Sequence, residues 1–115
     1  MPKKLLSKKN ELKEKIVTEN KDIEVAKQTI DREVEALKAM ENELDDTLTT
    51  AVEVLQNTKG RVIVTGMGKS GHIGRKIAAT FASTGTPSFF LHPGEASHGD
   101  LGMITPNDTV LAISN

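Results

Sequence analysis

The chain has 115 residues, a length typical of one domain, and a formal net charge of −1. This near-neutral balance gives no electrostatic field that would attract nucleic acid or an anionic membrane. The chain has no Cys, Trp or Tyr and only three Phe, which excludes disulfides, thiolate metal sites and an aromatic stacking platform for single strands.

The N-terminal segment is basic, as in a secretion signal, but it lacks the apolar core of such a signal because residues 7–10 are polar. No run in the chain approaches the roughly 20 apolar residues that span a bilayer. We therefore expect a cytoplasmic protein without membrane or nucleic-acid partners. Residues 3–21 are rich in Lys and Glu, and we assign residues 1–24 to a charged, helical N-terminal arm.

A long helix is predicted to follow the arm, because residues 1–59 contain no Gly and only one Pro. Apolar residues recur there at steps of three, four or seven, which places them on one stripe of a helix: Ile30, Val34, Leu37, Leu44, Leu48, Val52 and Leu55. Two interpretations of this apolar stripe are equally compatible with the sequence. It could contact another copy of the chain, or it could cover the protein's own sheet.

Strands and a helix alternate in the second half of the chain, which contains all nine Gly. The patterns predict strands at residues 61–65, 88–91 and 109–113, with a helix at 70–84 that Gly85 stops. This order predicts a parallel sheet with packed helices. The chain ends directly after the third strand, where a parallel sheet normally continues into a covering helix, so we expect a truncated domain.

The segment from Gly66 to His72 places three glycines, Lys69 and Ser70 between a strand and a helix. Glycines let backbone amides approach a ligand, and a helix N-terminus favours an anion. Lys69 could add a point charge to a phosphate. The hydroxyl of Ser70 could donate to a phosphate oxygen or could cap the helix.

Three other interpretations of this segment compete with phosphate binding. Its Gly-x-Gly-x-x-Gly spacing matches a dinucleotide fingerprint, but the second strand ends without the acidic residue that would hold a ribose. A Walker A loop would need a glycine where Ile63 stands. A plain strand-to-helix turn rich in glycine stays open.

The loop from His92 to Asp100 concentrates two His, Glu95 and Asp100 directly after the second strand. These are the residue types of general acids, general bases and metal ligands. A structural zinc site needs three or four ligands, and a chain with three His and no Cys is a poor source of them. A weak or inhibitory zinc at His92 stays open, and Ser97 or Asp100 could instead cap a short helix.

Taken together, these segments resemble the SIS domain of bacterial arabinose 5-phosphate isomerases. Four runs carry the resemblance: Gly66 to Lys76, Ala79 to Pro87, Phe90 to Thr105 and Ala112 to Asn115. It is close over residues 60–115 and looser over the helix at about 25–58. It implies an α/β fold, with a long N-terminal helix before the first part of a flavodoxin-like parallel sheet. The domain would occupy residues 25–115 and stop, incomplete, after its third strand.

The resemblance also implies an activity, the interconversion of D-ribulose 5-phosphate and D-arabinose 5-phosphate for the synthesis of Kdo, an acidic sugar of lipopolysaccharide. It implies that Lys69 is catalytic. It implies that six residues bind the substrate: Ser70, Gly85, Thr86, His92, His98 and Ser114. It further implies a homotetramer, no required cofactor, and zinc as an inhibitor at His92. The family's main base lies beyond Asn115, so we expect these residues alone to be inactive.

Two alternatives to an enzyme stay open, a non-catalytic SIS regulator that binds sugar phosphates and an oligomerisation module. Regulators of this kind usually carry a helix-turn-helix before the SIS domain. Residues 1–59 lack the Gly-containing turn and the basic recognition helix of that motif.

Overall fold

The computed structural model describes residues 3–114 and divides them into two compact units, one ending at Leu44 and the other beginning at Asp45. The first unit is formed by one long helix, α1, at Lys3–Glu43. The second unit contains, in chain order, α2 (Asp46–Gln56), β1 (Val62–Gly66), α3 (Gly68–Ser83), β2 (Ser88–Leu91), α4 (Pro93–Ser97), a 3₁₀ helix (Asp100–Met103) and β3 (Thr109–Ile113). No helix in the described part of the chain is long and apolar enough to cross a membrane.

Helix α1 is 41 residues long, and every residue in it whose burial is described is exposed. Most helical stability in proteins comes from the packing of an apolar face, and the described side chains of α1 are not packed in this way. The predicted boundary between residues 24 and 25 falls inside α1. The division into an arm and a domain stays a prediction.

The apolar stripe predicted from residue 30 to residue 55 is divided between two helices. Asp45 interrupts it with an extended backbone, and its carboxylate accepts a hydrogen bond from the Thr47 N–H at 2.9 Å. This is an N-cap, which satisfies one of the free amides at the start of α2. Of the stripe residues in α2, Leu55 packs against the core of the sheet, whereas Leu48 and Val52 are exposed.

The three strands form one parallel sheet in the order β2-β1-β3, which confirms the predicted α/β fold. Val64 pairs with Phe90 on one side and with Leu111 on the other. Because alternate residues of a strand share a face, these three side chains lie together. Helix α3 covers that face with Ala78 and Phe81. The first three residues of central strand β1 are fully buried, since Val62, Ile63 and Val64 have no exposed surface.

The amino-terminal edge of the sheet is held by Arg61 and Asp108. The Arg61 N–H donates to the Asp108 carboxylate at 2.7 Å, and the guanidinium forms an ion pair with it at 3.1 Å. The same guanidinium donates to the Met103 carbonyl oxygen at 2.6 Å and lies 4.9 Å from the centre of the Phe89 ring. Hydrogen bonds from Arg61, and then from the Thr105 N–H, hold the pKa of Asp108 well below its usual range.

Candidate functional site

The carboxyl ends of all three strands meet at one edge of the sheet, where open parallel sheets bind their ligands. A cavity of about 460 Å³ lies at this edge. Its lining comes from the ends of β1 and β3, from the first turns of α3 and α4, and from the residues directly after β1 and β3: Thr65, Gly66, Met67, Ser70, Pro93, Ala112, Ile113 and Ser114. Thr65, one of the lining residues, also joins β1 to β2, because its hydroxyl donates a hydrogen bond to the Leu91 carbonyl oxygen at 2.6 Å.

Glycines bring the start of α3 close to the strand ends. A Cβ atom on Gly66 would lie 2.9 Å from the Ile113 carbonyl oxygen and 3.2 Å from the Ser70 carbonyl carbon. Gly68 takes a left-handed backbone with φ of 57°, which turns the chain from β1 into the helix. Gly66 is therefore required by the close approach of α3 to the strand ends, and the predicted approach of this loop to a ligand stays a prediction.

Ser70 faces the cavity and does not cap α3. The N-cap residue is Met67, which provides no side-chain hydrogen bond to the helix. Ser70 is half-buried, lines the cavity and makes no side-chain hydrogen bond with any residue the structure describes. Its hydroxyl and the first amides of α3 are thus available as donors to an anion.

His92 follows the end of β2 and forms the N-cap of α4. Its Nδ1 accepts a hydrogen bond from the Gly94 N–H at 3.0 Å. A neutral imidazole has one donor and one acceptor nitrogen, so the ring proton is on Nε2. The side chain is half-buried and lines a second cavity of about 280 Å³.

This second cavity contains residues that were not predicted from the sequence, His72 and Arg75 of α3. Their spacing of three places both on one helical face, which was the available signal. The remaining lining residues are Gly66, Gly68, Gly71 and Phe90.

Four predicted site residues lie outside the two cavities. Lys69 is exposed on the first turn of α3, and His98 is the exposed C-cap of α4. Gly85 and Thr86 lie beyond the far end of α3, immediately before β2. They are therefore at the amino-terminal edge of the sheet, opposite Ser70. The structure thus brings together Ser70 and Ser114 in one cavity, with His92 in the neighbouring one.

Among the residues that the structure describes, no group of three or more His, Asp or Glu residues that could hold a metal occurs. Zinc binds a nitrogen lone pair, and the hydrogen bond from Gly94 leaves the proton of His92 on Nε2, so a zinc ion at this nitrogen would have to displace that proton.

Comparison with known proteins matches residues 54–115 to the SIS domain family. The chain is 60% identical over 93 residues to the arabinose 5-phosphate isomerase KdsD of Francisella tularensis subsp. tularensis, covering 78% of this chain and 28% of that protein. It is 59% identical over 92 residues to KdsD of Escherichia coli K12, covering 80% of this chain and 28% of that protein. The chain therefore spans little more than a quarter of the length of these relatives.

A solved structure gives the same result at the level of the fold. A protein of Escherichia coli CFT073 in complex with arabinose 5-phosphate superposes with a TM-score of 0.62 at 55% sequence identity. The match covers 69% of this chain and 44% of that one.

Proposed function

The chain belongs to the SIS domain family, and we propose that it serves an aldose–ketose isomerase that interconverts D-ribulose 5-phosphate and D-arabinose 5-phosphate. The observation that carries this proposal is the cavity at the carboxyl edge of the sheet, where Ser70 and Ser114 lie together. The identity of about 60% to proteins named arabinose 5-phosphate isomerase gives the substrate class.

Binding of the phosphate group is assigned to the larger cavity. Ser70 lies where β1 turns into α3, and Ser114 directly follows β3, so two hydroxyls approach one space from separate elements. The first amides of α3 add donors whose dipoles favour negative charge. A phosphate anchored there orients the rest of the sugar, which lowers the entropic part of the barrier.

The isomerisation itself moves one proton between neighbouring carbons of the sugar. A base removes a proton from C1 of the ketose, an enediolate forms, and a proton returns to C2 to give the aldose. Lys69 is assigned to the negative charge that develops on the substrate oxygen. His92 and His98 are assigned to sugar hydroxyls, with the Nε2–H of His92 as the donor.

Gly85 and Thr86 require a second copy of the chain in this scheme, because they lie at the edge of the sheet opposite Ser70. We assign them to a substrate molecule bound by another subunit of a homotetramer. No cofactor is needed for an enediol mechanism. Zinc is assigned only an inhibitory role at His92, where it would compete with the Nε2–H tautomer that the Gly94 hydrogen bond selects.

We place the enzyme in the cytoplasm and in the synthesis of Kdo, as its resemblance to the isomerases implies. The other SIS functions, a regulator that binds sugar phosphates or an oligomerisation module, would retain the fold without turnover. A regulator would bind arabinose 5-phosphate and release it unchanged.

The test replaces Lys69 by Ala in the full-length isomerase to which these residues are proposed to belong. We expect turnover of arabinose 5-phosphate to fall by about 10²–10⁴-fold, because a group that stabilises charge or transfers protons contributes on this scale. The oligomeric mass should be unchanged, since Lys69 lies on the first turn of α3 and not on the long helix α1. The matched control is Lys59→Ala, an exposed lysine before β1, which should keep full turnover. Undiminished turnover in Lys69→Ala would remove this residue from the mechanism.

A further inference from the structure

The smaller cavity beside α3 differs from the larger one in the charge of its lining residues. Its lining contains one permanent cation, Arg75, and two imidazoles, His72 and His92. It contains no Asp or Glu. The larger cavity, by contrast, has no charged residue in its lining. A site with several N–H donors and no carboxylate selects for an anion.

Arg75 is held in place by an aromatic ring rather than by an acid. Its guanidinium carbon lies 4.3 Å from the centre of the Phe90 ring, a stacking distance for a cation on an aromatic face. Among the side chains that the structure describes, one ion pair is found, between Arg61 and Asp108, and Arg75 donates a hydrogen bond to none of them. Its planar set of donors is therefore oriented yet unused, which suits a bidentate contact with an oxyanion.

The ring under Arg75 is itself fixed by the packing of α3. A Cβ atom on Gly74 would lie 3.1 Å from the Phe90 ring, and one on Gly71 would lie 3.5 Å from it. Because neither glycine has a side chain, the Phe90 ring can pack directly against the backbone of α3. Phe90 also belongs to β2, in register with Val64 of the central strand. The guanidinium consequently rests on a rigid part of the sheet.

The histidines complete the set of donors. The Gly94 N–H bonds to Nδ1 of His92 and leaves the ring proton on Nε2, so this imidazole is a donor at its other nitrogen. His72 lies three residues before Arg75 on the same face of α3. The donors therefore come from two elements, α3 and the segment after β2, on either side of one space of about 280 Å³.

We propose that this cavity is a binding site for a phosphate-type anion, distinct from the cavity of Ser70 and Ser114, with Arg75 as its principal ligand. His92, whose Nε2–H the proposed function gives to a sugar hydroxyl, donates to one of the two ligands at a time. A volume of this size accommodates a tetrahedral oxyanion carrying a small organic group. The chemistry is that of a phosphate monoester or free phosphate. The proposal does not depend on the isomerase assignment, because anion binding is measured without turnover.

The experiment titrates the full chain with inorganic phosphate in an isothermal calorimeter at low ionic strength. We expect Arg75→Ala to weaken one binding event by about 10- to 100-fold, the usual effect of losing a charge-assisted contact. Arg75→Lys keeps the charge but loses the planar fork, so it should fall between the wild type and Arg75→Ala. Arg32→Ala, an exposed arginine of α1, is the matched control and should bind as the wild type does.

A second variant separates the two cavities. If Ser70→Ala weakens a different binding event from Arg75→Ala, the chain binds two phosphate ions at two sites, as proposed. If both variants weaken the same event, one phosphate contacts both cavities, and the separate site is overturned. Unchanged phosphate binding in Arg75→Ala, with the variant folded as judged by its thermal transition, would also overturn the proposal.

Discussion

Gly71 is the residue at which α3 comes closest to β1. A Cβ atom there would lie 2.6 Å from the Gly66 carbonyl oxygen, which belongs to the backbone and cannot rotate away. We predict that Gly71→Ala lowers the free energy of unfolding by about 1–2 kcal/mol, since overpacking outweighs the gain from removing a helical glycine. Chemical denaturation of the full chain measures this.

The control for that substitution is Gly102→Ala. Gly102 has nothing within 4 Å of its Cβ position and does not have a positive φ. It should therefore tolerate alanine without measurable loss. Equal stability of Gly71→Ala and Gly102→Ala would mean that α3 can shift away from β1 without cost.

Single residues of the site could be predicted from the sequence where the strand ends determine their position. Ser70 lies on the first turn of the helix after β1, and Ser114 directly follows β3. Both line one cavity because the carboxyl ends of parallel strands share an edge of the sheet. Arg75 was missed because its role depends on stacking over Phe90, a residue fifteen positions away on a different element. No local pattern of sequence contains that contact.

At the scale of elements, Asp108 joins the start of β1 to the turn before β3. Its carboxylate accepts hydrogen bonds from Arg61 and from the Thr105 N–H, and its side chain is only 1% exposed. These bonds favour the ionised form, and the folded-state pKa lies below the ordinary value of 3.8. The stabilisation is therefore present above the ordinary pKa and is lost as the pH falls below it towards the folded-state pKa.

We predict that the thermal midpoint of the wild type falls as the pH is lowered from about 5 to about 2, and that Asp108→Asn removes part of this dependence. The variant should be less stable at neutral pH, because the ion pair with Arg61 is gone. Asp100→Asn changes an exposed carboxylate of the preceding 3₁₀ helix and is the control. Parallel pH profiles for the wild type and Asp108→Asn would contradict the assignment.

The elements of the sheet follow the sequence patterns closely, whereas the short helices do not. The second and third strands have the predicted bounds, and β1 and α3 differ from theirs by one or two residues. Helix α4 lies inside the segment predicted as a loop, and the 3₁₀ helix begins at the last residue of that segment, because a single helical turn has no periodicity to detect. The break before α2 depends on one capping side chain, that of Asp45.

At the scale of the whole molecule, α1 and the residue after it present apolar side chains at intervals of seven residues. Ile16, Ile23, Ile30, Leu37 and Leu44 are each more than half exposed. A repeat of seven keeps these residues on one seam, which is the pattern of helices that associate with other helices. We expect the proposed homotetramer to assemble through this seam.

We predict that the double variant Ile23→Glu and Ile30→Glu reduces the mass of the oligomer in light scattering, because charges on the seam oppose its burial. Val25→Glu is the matched control. Val25 is also an exposed β-branched residue, 54% accessible, but it lies about 200° around the helix from Ile23. An unchanged mass in the double variant would exclude the seam as the site of assembly.

The parallel order of the sheet has a consequence for how the chain folds. Central strand β1 meets β2 across a separation of 26 residues and β3 across one of 47. Loop-closure entropy favours the shorter connection by only about 0.5 kcal/mol. Helix α3 has the larger influence on the order in which the strands pair. It lies between β1 and β2 in the chain, and its Ala78 and Phe81 pack on the face that these two strands share. We expect the transition state of folding to contain β1, α3 and β2, with β3 joining afterwards, when Asp108 reaches Arg61.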